Sequence, residues 1–304
     1  LTAPDFLRFS QTNQMIATYG GSEANVAVSL ANFGIPTEFV TRLPDNAVAR
    51  ACIASLRANG LGTEGIVFGG KRMGLYFLES GAAFRNSNVV YDREGSSFAT
   101  LRPGMIDWEK IFSDAGWFHW SGIAAALSQD GADACREALE IADRMGLTIS
   151  CDLNFRKKLW NYGSSAAEVM QPLVQYSDVI FGAEPEYKEI LGIQPVGFKA
   201  VDAEDTTFEA NLPAFEDFGR RVVELVPRCQ KAFLELRNSI TSNHNLLAAI
   251  LYSDNTLKHT GIYDIECEVD RVGAGDAFVG GRLYVLITYP DNDQKALEYA
   301  LAAS

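Results

Sequence analysis

Residues 270–281 read DRVGAGDAFVGG and lead into an apolar stretch that continues to Tyr289. The apolar pattern predicts a helix that begins near Ala274. Gly273 and Gly275 leave the start of this helix without side chains, so its free backbone N–H groups can approach an anion. The helix dipole favours negative charge at the same point. This stretch therefore predicts an anion-binding helix N-terminus.

Asp276 is predicted to lie in the first turn of this helix, beside the anion-binding amides. A carboxylate there can accept the proton of a substrate hydroxyl during phosphoryl transfer. The N–H groups of Gly273, Ala274 and Gly275 would stabilise the charge on the transferring group. The alternative is a tight turn followed by an ordinary helix-start carboxylate, because glycine-rich turns before helices are common. We interpret Asp276 as a catalytic base, since a second glycine motif occurs near the start of the chain.

That second motif is GGSEANVA, residues 20–27. Its two glycines precede a predicted helix, with Ser22 as the N-cap and Asn25 in the first turn. A polyol substrate needs close approach to the backbone and a few neutral donors and acceptors, which Gly20, Gly21 and Asn25 provide. The alternative is again a tight turn at a helix start.

Helical and strand-like segments alternate along most of the chain, which predicts an α/β fold with a largely parallel sheet. The predicted strands are residues 38–42, 117–120, 147–153, 178–181, 231–236, 246–252 and 256–259. The predicted helices are residues 24–33, 45–60, 130–145, 165–175, 184–191, 213–225, 274–289 and 294–301.

Residues 66–101 break this alternation. Short predicted strands at 75–79, 88–91 and 97–100 are separated by Gly, Asn and Ser, and no helix is predicted between them. This pattern indicates a small β insertion that leaves the main sheet. We predict that it acts as a lid, because insertions on a rigid α/β scaffold often carry ligand contacts. The alternative is a surface β-meander without a role.

Charge and composition exclude several classes of partner. The 304 residues include 26 Lys and Arg against 39 Asp and Glu, a formal net charge of −13. A protein that binds nucleic acid needs a surplus of cationic side chains, so we expect no nucleic-acid partner. No apolar stretch approaches the roughly 18 residues that span a bilayer, so we expect no membrane partner. A small anionic ligand remains compatible with the charge.

The cysteines and histidines do not form a metal or disulfide pattern. The five cysteines are odd in number and widely spaced, which predicts reduced thiols in a cytoplasmic protein. The three histidines are scattered, so no zinc site is predicted. His119 lies in an apolar run, and we predict that it is a core residue. The chain begins at Leu1 without Met and stops at Ser304 within a helical pattern, so we expect both ends to be cut.

The two glycine motifs resemble the signatures of the ribokinase-like (PfkB) carbohydrate kinases: GGSEANVAVSLANFG and DRVGAGDAFVGG. The segments MGLYFLE, VVYDREGSSF, WFHWSGI and DLNFRKKLW are more closely similar to the 2-keto-3-deoxygluconate kinases of that family. The resemblance implies a three-layer αβα domain with a central, mostly parallel sheet, formed by residues 1–65 and 102–304. It also implies that residues 66–101 form a β-sheet lid. In this family an acidic residue on the first strand usually binds the sugar hydroxyls, and we expect that strand to be missing from this sequence.

The resemblance also implies which residues bind the sugar. Gly20, Gly21 and Asn25 would line the sugar site. Residues of 2-keto-3-deoxygluconate kinases that contact the sugar acid match Tyr76, Tyr91, Arg93 and Arg156. These side chains suit a carboxylate, because Arg offers paired donors and Tyr offers a hydroxyl on an apolar body. The alternative is that the tyrosines pack the lid and the arginines are solvated.

On the nucleotide side, the resemblance implies ATP as co-substrate with Mg²⁺. The predicted nucleotide-binding residues are Gly273, Gly275 and four polar side chains: Glu186, Arg237, Asn238 and Ser239. Arg237 to Ser239 follow the predicted strand and would approach the phosphates. Glu186 keeps the acid of the family's Asn-x-x-Glu motif, whereas Ala183 replaces its Asn. Arg271 stands where many members have Thr, and it would place a cation near the phosphates.

The implied activity is phosphorylation of the terminal hydroxyl of 2-keto-3-deoxygluconate. One alternative is a fructokinase or another neutral-sugar kinase of the same family, against which Arg93 and Arg156 argue. Another is a catalytically silent sugar or nucleotide sensor, against which Asp276 and the two motif glycines argue. We also expect a homo-oligomer formed through the lid, because pairing of two lids would cover their exposed edges.

Overall fold

The computed structural model describes residues 1–268 and 272–304. The helices are α1 Ser22–Asn32, α2 Ala47–Ala58, α3 Trp108–Ile111, α4 Gly122–Ala125, α5 Gln129–Arg144, α6 Ala166–Val174, α7 Glu184–Glu186, α8 Thr207–Ala210, α9 Leu212–Leu225, α10 Ala274–Thr288 and α11 Asp293–Ala303. The strands are β1 Thr41–Leu43, β2 Ile66–Phe68, β3 Leu75–Glu79, β4 Asn88–Asp92, β5 Trp117–Ser121, β6 Thr148–Asp152, β7 Val179–Ala183, β8 Lys231–Ser239, β9 Asn245–Ser253, β10 Thr256–His259 and β11 Tyr263–Ile265.

The largest sheet runs in the order β10-β9-β8-β7-β6-β5, and β11 also pairs with β9. Strands β5 to β8 are parallel, whereas β9 is antiparallel to each of its partners. The parallel strands place their carboxyl ends at one edge, the edge at which α/β proteins bind ligands. This arrangement confirms the predicted α/β fold with a central, mostly parallel sheet.

Helices cover both faces of this sheet and form the outer two layers. On one face, α5, α6 and α9 pack on strand residues such as Ile149 and Leu234. On the other face, α1, α10 and α11 pack on Phe181 and Phe233. The three-layer αβα architecture implied by the family resemblance is therefore present, and α10 packs on the central strands β7 and β8.

A gap separates β1 and β2 from the large sheet. These two strands form their own parallel pair. A cavity of about 1280 Å³ lies between them and β5, lined by residues 40–43 on one side and 117–120 on the other. Four of the predicted sugar-binding residues line this cavity: Gly20, Gly21, Tyr76 and Arg93.

The lid contains an antiparallel hairpin of β3 and β4, in which Tyr76 pairs with Tyr91. The N-terminal segment lies along it: the amide of Ala3 donates to the carbonyl of Leu78 at 3.0 Å. The division into a lid of residues 66–101 and a body stays a prediction, and we note that β2 pairs with β1 rather than with the hairpin.

The predicted strand over residues 97–100 is wrong. Phe98–Thr100 forms a single 3₁₀ turn. Thr100 Oγ1 donates to the carbonyl of Ser97 at 2.8 Å, and Ser97 Oγ donates to the carbonyl of Arg72 at 3.0 Å. The first of these bonds is local, and such local side-chain bonds compete with the ladder of a sheet. The predicted helix over 184–191 is present, but its second half, Tyr187–Leu191, is a π-helical turn.

No helix among the described residues is long and apolar enough to cross a membrane. The five cysteines all fall within the described ranges, and none of them forms a disulfide.

His119 lies on β5, and its Nδ1 is hydrogen-bonded to Ser150 Oγ of the neighbouring strand β6 at 2.8 Å. Its ring packs edge-on against Phe181, with 6.2 Å between the ring centroids. Burial lowers the pKa of His119 to about 4. The side chain is therefore neutral in the folded protein at pH values where an unfolded histidine is already protonated.

We expect this histidine to make the protein acid-sensitive. A folded pKa below the unfolded value gives stability that is present above about pH 6.5 and lost as the pH falls towards the folded pKa. Between about pH 7.5 and about pH 5, the native protein should lose roughly 2 kcal/mol of unfolding free energy relative to a His119→Gln variant. Urea denaturation of both proteins at the two pH values measures this difference. Equal losses in the two proteins would show that His119 does not contribute.

Candidate active site

Helices α1 and α10 approach each other very closely at Gly280. A Cβ atom added to Gly280 would lie 2.7 Å from Ser29 Cβ, closer than real carbon atoms approach. Glycine at this position lets the two helix backbones come together. Their N-terminal turns therefore lie side by side at the carboxyl edge of the sheet.

Asp276 lies between these two N-terminal turns. Ser22 Oγ donates to Asp276 Oδ1 at 2.9 Å, and Asn25 Nδ2 donates to Asp276 Oδ2 at 2.7 Å. Hydrogen bonds to a carboxylate are among the stronger ones in proteins. The structure thus brings together Asn25 and Asp276, two residues that the sequence places in different predicted roles.

Ser22 does not have its predicted role. It is the first residue of α1 rather than the N-cap, and the N-cap is Gly21, which has no side chain to offer. The Ser22 hydroxyl instead contacts α10. The first turn of α1 therefore keeps backbone N–H groups that no capping side chain satisfies.

The glycine turn before α10 has the predicted form. Gly273 is the N-cap residue, with φ +87°, a left-handed conformation that favours glycine. Ala277 N donates to the carbonyl of Gly273 at 2.7 Å, which closes the first turn. The amides of residues 274–276 precede the regular ladder of α10 and are available to an anion. Asp270 and Arg271, which begin the motif, lie outside the described residues.

The turn borders a cavity of about 500 Å³. Most of the predicted nucleotide-binding residues line it together with Asp276, namely Gly273, Gly275, Glu186, Arg237 and Ser239. Arg156, predicted to bind the sugar, also lines this cavity. The exception is Asn238, whose Nδ2 donates to the carbonyl of Ala200 at 2.6 Å.

The predicted end of the strand before Arg237 is wrong. Arg237, Asn238 and Ser239 are the last three residues of β8 and pair with β9 at residues 245–247. The antiparallel partner extends the strand beyond its apolar part. As a result, alternate side chains face opposite sides of the sheet, and Asn238 is directed away from the cavity.

Carboxylates at the ends of β6 and β7 are strongly perturbed by burial. Glu186 Oε2 accepts from the amide of Ala183 at 2.7 Å, and Arg156 Nη1 lies 3.8 Å from Glu186 Oε1. Burial raises the pKa of Glu186 to about 7. Burial also raises the pKa of Asp152 well above its usual value, and the nearby Glu186 and Asp276 raise it further. Such perturbed groups cluster at functional sites.

Arg282 is a further ionisable group at this cavity, and the sequence analysis missed it. It is fully buried, and none of its three guanidinium nitrogens has a hydrogen-bond partner among the described residues. The guanidinium lies 3.3 Å from the ring centroid of Phe278 and 4.4 Å from that of Phe233. Burial lowers the pKa of Arg282 well below its usual value, while Glu235 and Asp152 oppose this. No motif signals it, because it falls within an otherwise apolar helix.

Four of the seven predicted sugar-binding residues line the larger cavity, whereas Asn25 and Tyr91 are not among its lining residues. Gly20, Gly21, Tyr76 and Arg93 all face it. The Arg93 guanidinium stacks over the ring of Tyr91, with Cζ 4.9 Å from the ring centroid. Arg156 is separate from this group, since it lines the smaller cavity.

Glu23 is a further residue of the larger cavity that the sequence analysis missed. Ser121 Oγ donates to Glu23 Oε1 at 2.7 Å. Burial raises the pKa of Glu23, while the bond from Ser121 lowers it. Its position within GGSEANVA, between the glycines and Asn25, is the signal that could have found it.

Known proteins are similar to this one in sequence and in structure over nearly the whole chain. A model of the pfkB family of carbohydrate kinases matches residues 8–217. The chain belongs to this family. It is a carbohydrate kinase.

Three known kinases are similar to this chain over most of its length. The chain is 29% identical over 304 residues to a 2-dehydro-3-deoxygalactonokinase of Haloferax volcanii, covering all of this chain and 86% of the relative. It is also 29% identical over 286 residues to Fructokinase-1 of Oryza sativa, covering 93% of this chain and 78% of the relative. The crystal structure of a 2-dehydro-3-deoxygluconokinase from Thermotoga maritima superposes with a TM-score of 0.90 at 37% identity, covering 99% of this chain and 88% of the other.

We expect the close contact at Gly280 to be necessary for activity. A Gly280→Ala substitution forces α10 away from Ser29 and so lengthens the contacts that hold Asp276. It should destabilise the fold by about 1–3 kcal/mol, and displacement of the reacting groups should lower turnover about 10- to 100-fold. Steady-state kinetics and thermal unfolding measure the two effects. The matched control is Gly261→Ala, where an added Cβ meets nothing within 4 Å. Unchanged turnover in the Gly280 variant would contradict this account of the site.

Proposed function

We propose that this kinase transfers the γ-phosphoryl group of ATP to the terminal hydroxyl of 2-keto-3-deoxygluconate. The observation that carries the proposal is the position of Asp276. Asp276 lines the smaller cavity, together with most of the predicted nucleotide-binding residues. Its carboxylate also accepts hydrogen bonds from Ser22 and Asn25 of α1, the helix that lines the larger cavity.

The proposed reaction needs a base and a stabiliser of developing charge. Asp276 accepts the proton of the sugar hydroxyl while the hydroxyl oxygen forms a bond to the γ-phosphorus. The bond from that phosphorus to the bridging oxygen breaks, and ADP leaves with the bond's electron pair. The amides of residues 273–275 stabilise the negative charge on the transferring group, because they lie at the positive end of α10. Positioning and charge stabilisation are most of what phosphoryl transfer asks of a protein.

The smaller cavity fits a nucleotide that carries Mg²⁺. Among the described residues, no group of three or more His, Cys, Asp or Glu side chains could hold a metal ion by itself. Mg²⁺ usually binds through one or two carboxylates together with substrate phosphates and water. Glu186 is the carboxylate best placed to contribute, and Arg156 and Arg237 line the same cavity. When bound, Mg²⁺ supplies neutralisation of phosphate charge.

Arg93 supports a sugar acid as the substrate. Its guanidinium faces the larger cavity and is held by Tyr91. A guanidinium forms paired hydrogen bonds with a carboxylate, which a neutral sugar lacks. The names of the relatives from Haloferax and Thermotoga agree with this choice, whereas the rice fructokinase supports a neutral sugar as the second candidate.

A panel of sugars tests the proposal. With ATP and Mg²⁺, the enzyme should release ADP with 2-keto-3-deoxygluconate at a kcat/KM at least about tenfold above that with fructose. The control is Asp276→Asn, which cannot accept the proton and should lose about 10²- to 10⁴-fold in turnover. Preference for fructose would favour the neutral-sugar kinase. Thermal stabilisation by the sugar without any ADP release would favour a silent sensor.

Arg93→Ala tests the choice of a sugar acid more directly. Loss of a charge-assisted contact should raise the KM for the keto acid about 10- to 100-fold and leave the KM for ATP unchanged. Arg102→Ala is the matched control, because Arg102 pairs with Asp130 on the surface. If the KM for the keto acid does not rise in the Arg93 variant, the proposed contact is wrong.

We also propose that two lids pair in a homo-oligomer. Phe84, between β3 and β4, is 89% exposed, and Val90 on β4 is 48% exposed. Apolar side chains on a small hairpin are typical of an interaction surface. Size-exclusion chromatography at assay concentrations tests this, and a monomer would contradict it.

A further inference from the structure

A chain of hydrogen bonds connects Asp276 to the carboxyl end of β6. Asn154 Nδ2 donates to Ser22 Oγ at 2.7 Å, and Ser22 Oγ donates to Asp276 Oδ1 at 2.9 Å. At its other end, Asn154 Nδ2 also donates to Asp152 Oδ2 at 3.0 Å, and Asn154 N donates to Asp152 Oδ1 at 3.1 Å. The chain therefore crosses from the sheet to α1 and from α1 to α10.

The middle of this chain is buried and conformationally unusual. Asn154 is only 3% exposed and Asp152 is 8% exposed. Asn154 has φ +39°, a left-handed conformation that costs energy in residues other than glycine and that Asn tolerates better than most. Strained, buried residues of this kind persist where surrounding contacts hold them, and they cluster at functional sites.

The directions of the bonds determine what the chain does. A serine hydroxyl has one proton, and its rotation is free unless a partner holds it. Because the Asn154 amide donates to the Ser22 oxygen, the Ser22 proton is left to point at Asp276. Asn25 donates to the other oxygen of the same carboxylate. Asp276 is thus held at both oxygens, and each oxygen keeps a lone pair for a substrate hydroxyl.

We propose that Ser22 and Asn154 are positioning residues that orient Asp276 for phosphoryl transfer, with Asp152 as their buried anchor. This rests on the proposed function, in which Asp276 is the base. Neither Ser22 nor Asn154 exchanges a proton in the reaction. They hold the carboxylate plane so that its free lone pair faces the sugar hydroxyl when both cavities are occupied.

Three single variants and the double variant of Ser22→Ala with Asn154→Gly test the proposal. Ser22→Ala removes the donor to Asp276 and should lower kcat about 10- to 100-fold, with the KM values for sugar acid and ATP changed less than about twofold. Ser22→Thr keeps the hydroxyl and should restore most of kcat. Asn154→Gly accepts the left-handed backbone and removes the amide, so its loss of kcat should be similar. The double variant should lose no more than the worse single variant, because both residues act through one contact.

The control is Ser113→Ala, an exposed residue whose hydroxyl donates to the carbonyl of Lys110 at 2.8 Å and not to a residue of the site. Its kcat should match that of the native enzyme. Thermal unfolding of every variant checks that it is folded. If Ser22→Ala folds poorly, Asn154→Gly gives an independent result.

The outcomes separate this inference from the proposed function. Near-native turnover in Asp276→Asn would overturn the proposed function itself. A strong loss in Asp276→Asn with native kcat in Ser22→Ala would overturn the positioning role alone. Failure of Ser22→Thr to restore kcat, or fully multiplicative losses in the double variant, would also overturn it.

Discussion

The contact between the N-terminal turns of α1 and α10 is the interaction on which the rest of the site depends. Two helix N-termini each carry positive partial charge and unsatisfied N–H groups, so bringing them together is unfavourable unless an anion lies between them. Asp276 supplies that negative charge from within the second helix, and Asn25 and Ser22 bind it from the first. The absence of a side chain at Gly280 makes the approach possible.

The cavity beside this contact has an unusual concentration of buried ionisable groups. Asp152 and Glu186 have pKa values raised by burial, and that of Arg282 is lowered by the same cause. Burying charged groups without hydrogen-bonded partners costs free energy, and such costs are typical of sites where a ligand brings the missing partners. A nucleotide with its metal ion brings both negative oxygens and positive charge. The electrostatics therefore support the proposal that phosphates bind at this edge of the sheet.

The fold was predictable from the sequence because its signals are local. Apolar periodicity and glycine turns predicted α10, α5 and the strands β6 and β9 to within about two residues. The turn of residues 97–100 was not predictable in this way, since Thr100 bonds the carbonyl of Ser97 within the turn and Ser97 bonds the carbonyl of Arg72, 25 residues away in the sequence. Likewise, the pairing with β9 decides where β8 ends, and a strand pattern alone does not contain that information.

The site was predictable only in part, for a related reason. Asp276 and Asn25 each stand in a recognisable motif, but their contact joins residues 251 positions apart. Ser22 looks like an N-cap in the sequence because serine before a helix usually has that role. Its actual partner belongs to a distant helix. The bond from Asn154 to Ser22 joins the carboxyl end of β6 to α1, residues far apart in the chain, so no local sequence pattern indicates it.

A crystal structure of the enzyme with 2-keto-3-deoxygluconate and a non-hydrolysable ATP analogue tests the central claim most directly. The account predicts that the terminal hydroxyl lies about 3 Å from the Asp276 carboxylate and that the amides of residues 273–275 face the γ-phosphate. A triphosphate and a sugar bound away from the start of α10 would contradict it.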